Sequence, residues 1–153
     1  MKHRILTDQS EIQGIIRKCQ VCHVAMTDEE GNPYVVPMNF GFESGMVFLH
    51  SSRAGRKIDI LGKNPAVCIE FSTDYLLRCQ NEAVACSYSM KYRSVLLFGK
   101  VEFVEDPEEK VKILDAIMKN YSPNAFRYNP PSLREVCCWR VKAERMEGRV
   151  YGY

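Results

Sequence analysis

The chain holds a single tryptophan and only three histidines in 153 residues. No apolar run approaches the roughly 20 residues that a bilayer-crossing helix needs. Charge of one sign is scarce as well: 21 Lys and Arg against 19 Asp and Glu leave a formal net charge of +2. Proteins that chiefly grip nucleic acid or anionic membrane carry a strong basic surplus, so no nucleic-acid or membrane partner is expected. Behind the basic start Lys2-His3-Arg4 come Gln9, Ser10 and Glu11 instead of an apolar stretch. A secretory leader is therefore not expected, and the cytoplasm is the expected compartment.

Several chemistries lack their motifs. There is no Walker loop, no Gly-x-Gly-x-x-Gly and no His-Glu-x-x-His, and no Gly-x-Ser-x-Gly elbow. Cys19-Gln20-Val21-Cys22 has metal-like spacing, but no second Cys-x-x-Cys completes a tetrahedral set, and Cys137-Cys138 are adjacent. No metal site is expected. Seven cysteines, an odd count at irregular spacing, read as reduced and buried thiols and not as a disulfide framework.

What is present patterns as strands in meanders with single helices between them. Asp8 with Glu11 three residues on opens a helix whose apolar face is Ile12, Ile15, Ile16 and Cys19. Strands are expected over 21–27, 33–42 and 46–51, with Pro37 making the second an edge or a bulged strand. A helix follows to Lys63, stopped by Asn64-Pro65. Strands are expected over 66–73, 92–104 with a bulge at Gly99, and 136–144; residues 74–90 carry no clear pattern. Asp106-Pro107-Glu108-Glu109 starts a helix with the stripe Val111, Leu114, Ile117, Met118 and Tyr121. Residues 122–132, with three prolines, read as loop, and a short tail ends the chain. The total is about six strands and three helices in one mainly β (α+β) domain, a six-stranded antiparallel barrel with peripheral helices.

The most informative segment runs from Phe48 to Lys57. A strand ends in Ser51 and Ser52 and opens a helix with Arg53, Arg56 and Lys57 at its start. Unpaired N–H groups and the positive dipole end make a helix start attractive to anions and unfavourable for cations. Taken alone, the segment fits a phosphate site and a solvated basic helix start equally. A second basic cluster, Lys91-Tyr92-Arg93-Ser94, reads alone as an ordinary strand entry. At Pro37, backbone groups are freed from the strand ladder.

Three stretches in this order resemble the pyridoxamine 5′-phosphate oxidase-like flavin-binding split barrels. They are Pro33 to Gly41, Phe48 to Asp59, and Tyr92 to Lys100. Within that family the chain is most similar to the nitroimidazole-resistance, nitroreductase-like branch. The resemblance implies a homodimer with a flavin at the interface, FMN, or FAD with its adenylate end projecting outward. It implies that Arg56 and Lys57 hold the flavin phosphate with Ser51 and Ser52 beside it. Pro37, Met38 and Asn39 would line the isoalloxazine edge. Tyr92, Arg93, Ser94 and Val95 would complete the pocket, and His50 would be the active-site histidine. The implied activity is reduction of small nitro-aromatic or quinone-like substrates with NAD(P)H. The chain is shorter than the pyridoxamine oxidases proper, and Val136–Tyr153 matches no C-terminal substrate segment of theirs, so vitamin B6 oxidation is not implied. The rival expectations are a flavin binder without turnover and a haem-holding barrel with His50 or His23 as ligand.

Overall fold

The computed structural model describes residues 2–153. Helix α1 (Gln9–Lys18) begins where expected, because the Asp8 carboxylate accepts hydrogen bonds from the N–H groups of Ser10 and Glu11. Its buried face is Ile12, Ile15 and Ile16, followed by the buried Cys19. Helix α2 spans Arg56–Lys63 and α3 spans Pro107–Lys119, capped by Asp106 on the N–H of Glu109. A fourth short helix, α4 (Pro130–Glu135), lies in the stretch expected to be loop; Asn129 caps it on Ser132 N–H. No helix among the described residues is long and apolar enough to cross a membrane.

Among the described residues the strands number nine where six were expected: β1 (His3–Leu6), β2 (Cys22–Thr27), β3 (Pro33–Met38), β4 (Gly41–Glu43), β5 (Met46–Ser52), β6 (Ala66–Arg78), β7 (Ser89–Val104), β8 (Val136–Lys142) and β9 (Arg145–Tyr151). The class is as expected, an antiparallel, mainly β split barrel with helices at its periphery. The additions are β1, β9 and the division of 33–42 into β3 and β4. What reads as a tail is β9, which pairs with both β1 and β7. The sheet order is β3-β2-β6-β7-β8-β5-β4, and β3, with its Pro37, is an edge as expected.

Strand β7 creates the split. One side pairs with β6 from Ser89 to Lys100. The other side pairs with β9 over Tyr92–Phe98 and then with β8 over Val101–Val104. Gly99 stands at the changeover and is not bulged, since its pairing with Val67 is regular; the register shift falls at Thr73–Leu76. A Cβ on Gly99 would lie 2.4 Å from Lys142 O, so glycine is what lets the β8–β9 connection cross β7.

The main core joins α1, α2 and the inner faces of both sheet halves around Phe40, Phe71, Leu49 and Trp139. Helix α3 packs on β4, β5 and β8. Its buried face is Lys110, Ile113 and Ile117; of the expected stripe Ile117 is buried, Val111, Leu114 and Met118 are half-buried and Tyr121 is exposed. Lys110 joins that face because its ammonium donates to Leu133 O and Val136 O, which satisfies it in the interior. Helix α3 also meets β4 closely at Gly41, where an added Cβ would sit 2.5 Å from Ala116 O. Gly41→Ala is expected to destabilise the fold by about 1–3 kcal/mol, because the obstacle is helix backbone. A lowered urea midpoint at constant slope would record it.

Of the seven cysteines expected to be buried, Cys19, Cys22, Cys137 and Cys138 are. Cys68 is half-buried, and Cys79 and Cys86 are exposed. Burial pushes the Cys22 thiol up to about 12 and the Cys19 thiol to about 11, so both stay protonated at neutral pH.

Candidate functional site

The end of β3, the end of β5 and the start of α2 converge on one cavity of about 550 Å³. Pro37, Met38 and Asn39 line it from the β3–β4 junction. His50, Ser51 and Ser52 line it from β5, and Lys57 from the first turn of α2. Ser132, Glu135 and Val136 form a further wall. That wall was not foreseen from the sequence. Its signal was there in Asn129-Pro130, a cap followed by proline at the first helical position, the same grammar as Asp106-Pro107.

The start of α2 has the electrostatics of an anion site. Gly55 occupies the cap position at φ 125°, and no side chain caps the helix. The two nearby hydroxyls are committed elsewhere: Ser52 Oγ donates to Ala54 O at 2.8 Å and Ser51 Oγ to Ser52 O at 2.9 Å. The N–H groups of Ile58 and Asp59 donate to Gly55 O, while those of Arg56 and Lys57 have no side-chain cap as acceptor. Lys57 makes no salt bridge among the described residues. The Arg56 guanidinium lies over the Tyr34 ring, 4.4 Å from its centroid, beside the cavity and not in its lining. Arg53 turns away altogether, donating to Arg134 O at 3.0 Å and to both oxygens of Glu105.

His50 sits opposite Cys138 in the β5–β8 ladder. His50 is exposed to the cavity, and desolvation by the surrounding walls lowers the pKa of its imidazole, which favours the neutral ring that can accept as well as donate a hydrogen bond. His23, by contrast, is on β2 with its Nδ1 2.9 Å from Glu70 Oε2, away from this cavity.

The four site residues of β7 lie elsewhere within one chain. Tyr92 and Ser94 line a separate cavity of about 380 Å³ with Ser72, Tyr75 and Arg149. Val95 is fully buried in the core. Arg93 donates to Asp74 Oδ2 at 2.7 Å and stacks on Tyr153, 4.0 Å from the ring centroid. Asp74 also accepts from Lys18 at 3.1 Å, and it takes positive φ (56°) where β6 loses register.

The hydrogen bond from Lys18, then that from Arg93, holds the Asp74 carboxyl below its ordinary pKa. A carboxyl lowered on folding stabilises fully above its unfolded pKa and loses that contribution as pH falls below about 4. Asp74→Asn is therefore expected to lower the urea midpoint at pH 7, by a margin that narrows as pH falls below about 4.

An antiparallel split barrel with a polar cavity at a basic, uncapped helix start defines the class of protein. A family model described as pyridoxamine 5′-phosphate oxidase matches residues 8–150, and the chain belongs to that family. Among solved structures, it is similar to a candidate 5-nitroimidazole antibiotic resistance protein from Bacteroides thetaiotaomicron. Identity is 45%, the match covers 97% of this chain and 87% of that one, and the TM-score is 0.87. The fold is shared with an FAD- and heme-binding protein from Mycobacterium smegmatis at 17% identity, covering 97% and 74% of the two chains, with a TM-score of 0.85. It is shared too with an FAD-binding protein from Mesorhizobium loti at 20% identity, covering 99% and 100%, with a TM-score of 0.70. No curated protein sequence matches the chain.

Proposed function

We propose that the protein is a flavin-dependent oxidoreductase that holds FMN in the cavity between β3, β5 and α2 and reduces small nitro-aromatic or quinone-like compounds. The observation that carries this reading is the uncapped, cation-bearing start of α2 opening into a cavity large enough for a planar ring system. The donor set fits a flavin. The Lys57 ammonium and the N–H groups of Arg56 and Lys57 suit its phosphate, and the freed backbone around Pro37–Asn39 suits a heteroaromatic edge. The flavin would supply the hydride and electron chemistry. The chain's own residues bind, orient and manage protons: neutral His50 accepts from or donates to a bound acceptor. Glu135 adds a carboxylate to the wall, which favours uncharged acceptors over anionic ones.

The reading includes a homodimer with the flavin at the interface. Tyr75, Leu76, Leu77 and Met90, on the outer halves of β6 and β7, are large apolar side chains left exposed in one chain. A second copy covering them would also bring Tyr92 and Ser94 toward a partner's cavity. Sedimentation should report a dimer, and a monomer at micromolar concentration would reject that part. NAD(P)H is the proposed electron donor. Under anaerobic conditions, FMN-loaded protein should consume NAD(P)H in step with loss of a neutral nitro-aromatic. Retention of FMN without any turnover across nitro-aromatic and quinone acceptors would favour a flavin holder. A Soret band in the isolated protein would favour haem, with His50 as ligand, since His23 is engaged by Glu70 outside the cavity.

A further inference from the structure

Behind α4 lies a second cavity of about 490 Å³ that the flavin reading does not use. Three cationic residues line it, Arg53, Lys110 and Arg134, with one acidic residue, Glu105. Pro130 and Leu133 supply apolar walls. Lys110 is the unusual member, since its side chain is only 3% exposed. Its ammonium gives two hydrogen bonds, each 2.9 Å, to Leu133 O and Val136 O. The nearest carboxylate oxygen, on Glu105, is 3.8 Å away, beyond hydrogen-bond distance, and Glu105 already takes both its bonds from Arg53. A buried ammonium is normally matched by an opposite charge; here the match is one long ion pair to Glu105, a carboxylate that Arg53 already holds by hydrogen bonds. Arg134 has no salt-bridge partner among the described residues.

We infer that this cavity is a second ligand site, separate from the flavin cavity and divided from it by α4, that takes a small amphipathic carboxylate. Excess positive charge calls for an anion. The apolar walls call for an aryl or alkyl body attached to it. Glu105 favours a monoanion over a phosphate dianion, because its own charge opposes the second negative charge. The inference does not depend on the flavin reading, and its test needs no bound flavin.

Phenylacetate is the probe, phenylacetamide its uncharged counterpart, and titration calorimetry on the full chain the measurement. Phenylacetate should bind saturably, and phenylacetamide roughly tenfold more weakly, as expected for loss of a charged hydrogen bond. Arg134→Gln, a change at an exposed position, should weaken phenylacetate by a similar factor, while Lys57→Ala should leave it unchanged. Lys110→Met should abolish binding in protein that keeps the wild-type circular dichroism. If Lys110→Met does not fold, the Arg134 result decides alone. Equal affinity for acid and amide would overturn the site. So would binding that is lost in Lys57→Ala but retained in Arg134→Gln, because the anion would then sit in the first cavity.

Discussion

Replacing Lys57 with alanine is expected to weaken FMN binding about tenfold or more, and replacing Arg56 as well should weaken it further. A hydrogen bond to a charged group contributes roughly 1.5–3 kcal/mol, and each 1.4 kcal/mol is a factor of ten in affinity. The two cations do not stand equally. Lys57 lines the cavity directly, whereas the Arg56 guanidinium is stacked on Tyr34. Arg56→Ala alone should therefore cost less than Lys57→Ala. Neither change should lower stability much. Cations at a helix N-terminus oppose the dipole, so their removal is neutral or favourable by a few tenths of a kcal/mol in the flavin-free protein. Fluorescence titration of FMN, with urea unfolding of the same variants, separates the two effects. Wild-type FMN affinity in the double variant would place the phosphate elsewhere.

Trp139→Ala is expected to be the most damaging single core substitution, at about 3–5 kcal/mol. The indole is fully buried on β8, opposite Leu49 of β5 and Phe103 of β7. It thus ties together the strands on either side of it. The preceding residue, Cys138, pairs with His50 across the ladder, so a loosened β8 would also disturb the strand that carries His50, Ser51 and Ser52. FMN affinity should fall along with the urea midpoint. Trp139→Phe should cost much less, because the indole N–H has no hydrogen-bond partner among the described residues and its removal leaves nothing unsatisfied. Comparable losses for the two variants would mean that the N–H carries an interaction after all.

Local grammar made much of this molecule legible. Asp8 and Asp106 are caps whose partners lie within three residues, and they cap as read. Pro37 forbids an interior strand, and β3 is an edge. The turn from β5 into α2 places Ser51, Ser52 and Lys57 together because they are close in sequence, and the β3–β4 junction joins them. What escaped depends on distant partners. Strand β9 exists through pairing with β1, at the other end of the chain, and with β7; Gly148 within it is the place where a side chain would strike Ile12 and Leu6. The burial of Lys110 on α3 depends on carbonyls more than twenty residues away. Arg93 reads as a free cation until β6 runs past Thr73 and brings Asp74 to it. Cavity walls from α4 were hidden because three prolines in that stretch read as loop, although one of them opens the helix.

Flavin binding here depends on the start of α2 gripping a phosphate. Comparing FMN with riboflavin, which carries the same ring and ribityl chain without the phosphate, asks this directly. FMN is expected to bind at least about tenfold more tightly than riboflavin in the wild-type protein, and that advantage should shrink in Lys57→Ala. Equal affinity for the two flavins, or binding of neither, would contradict it.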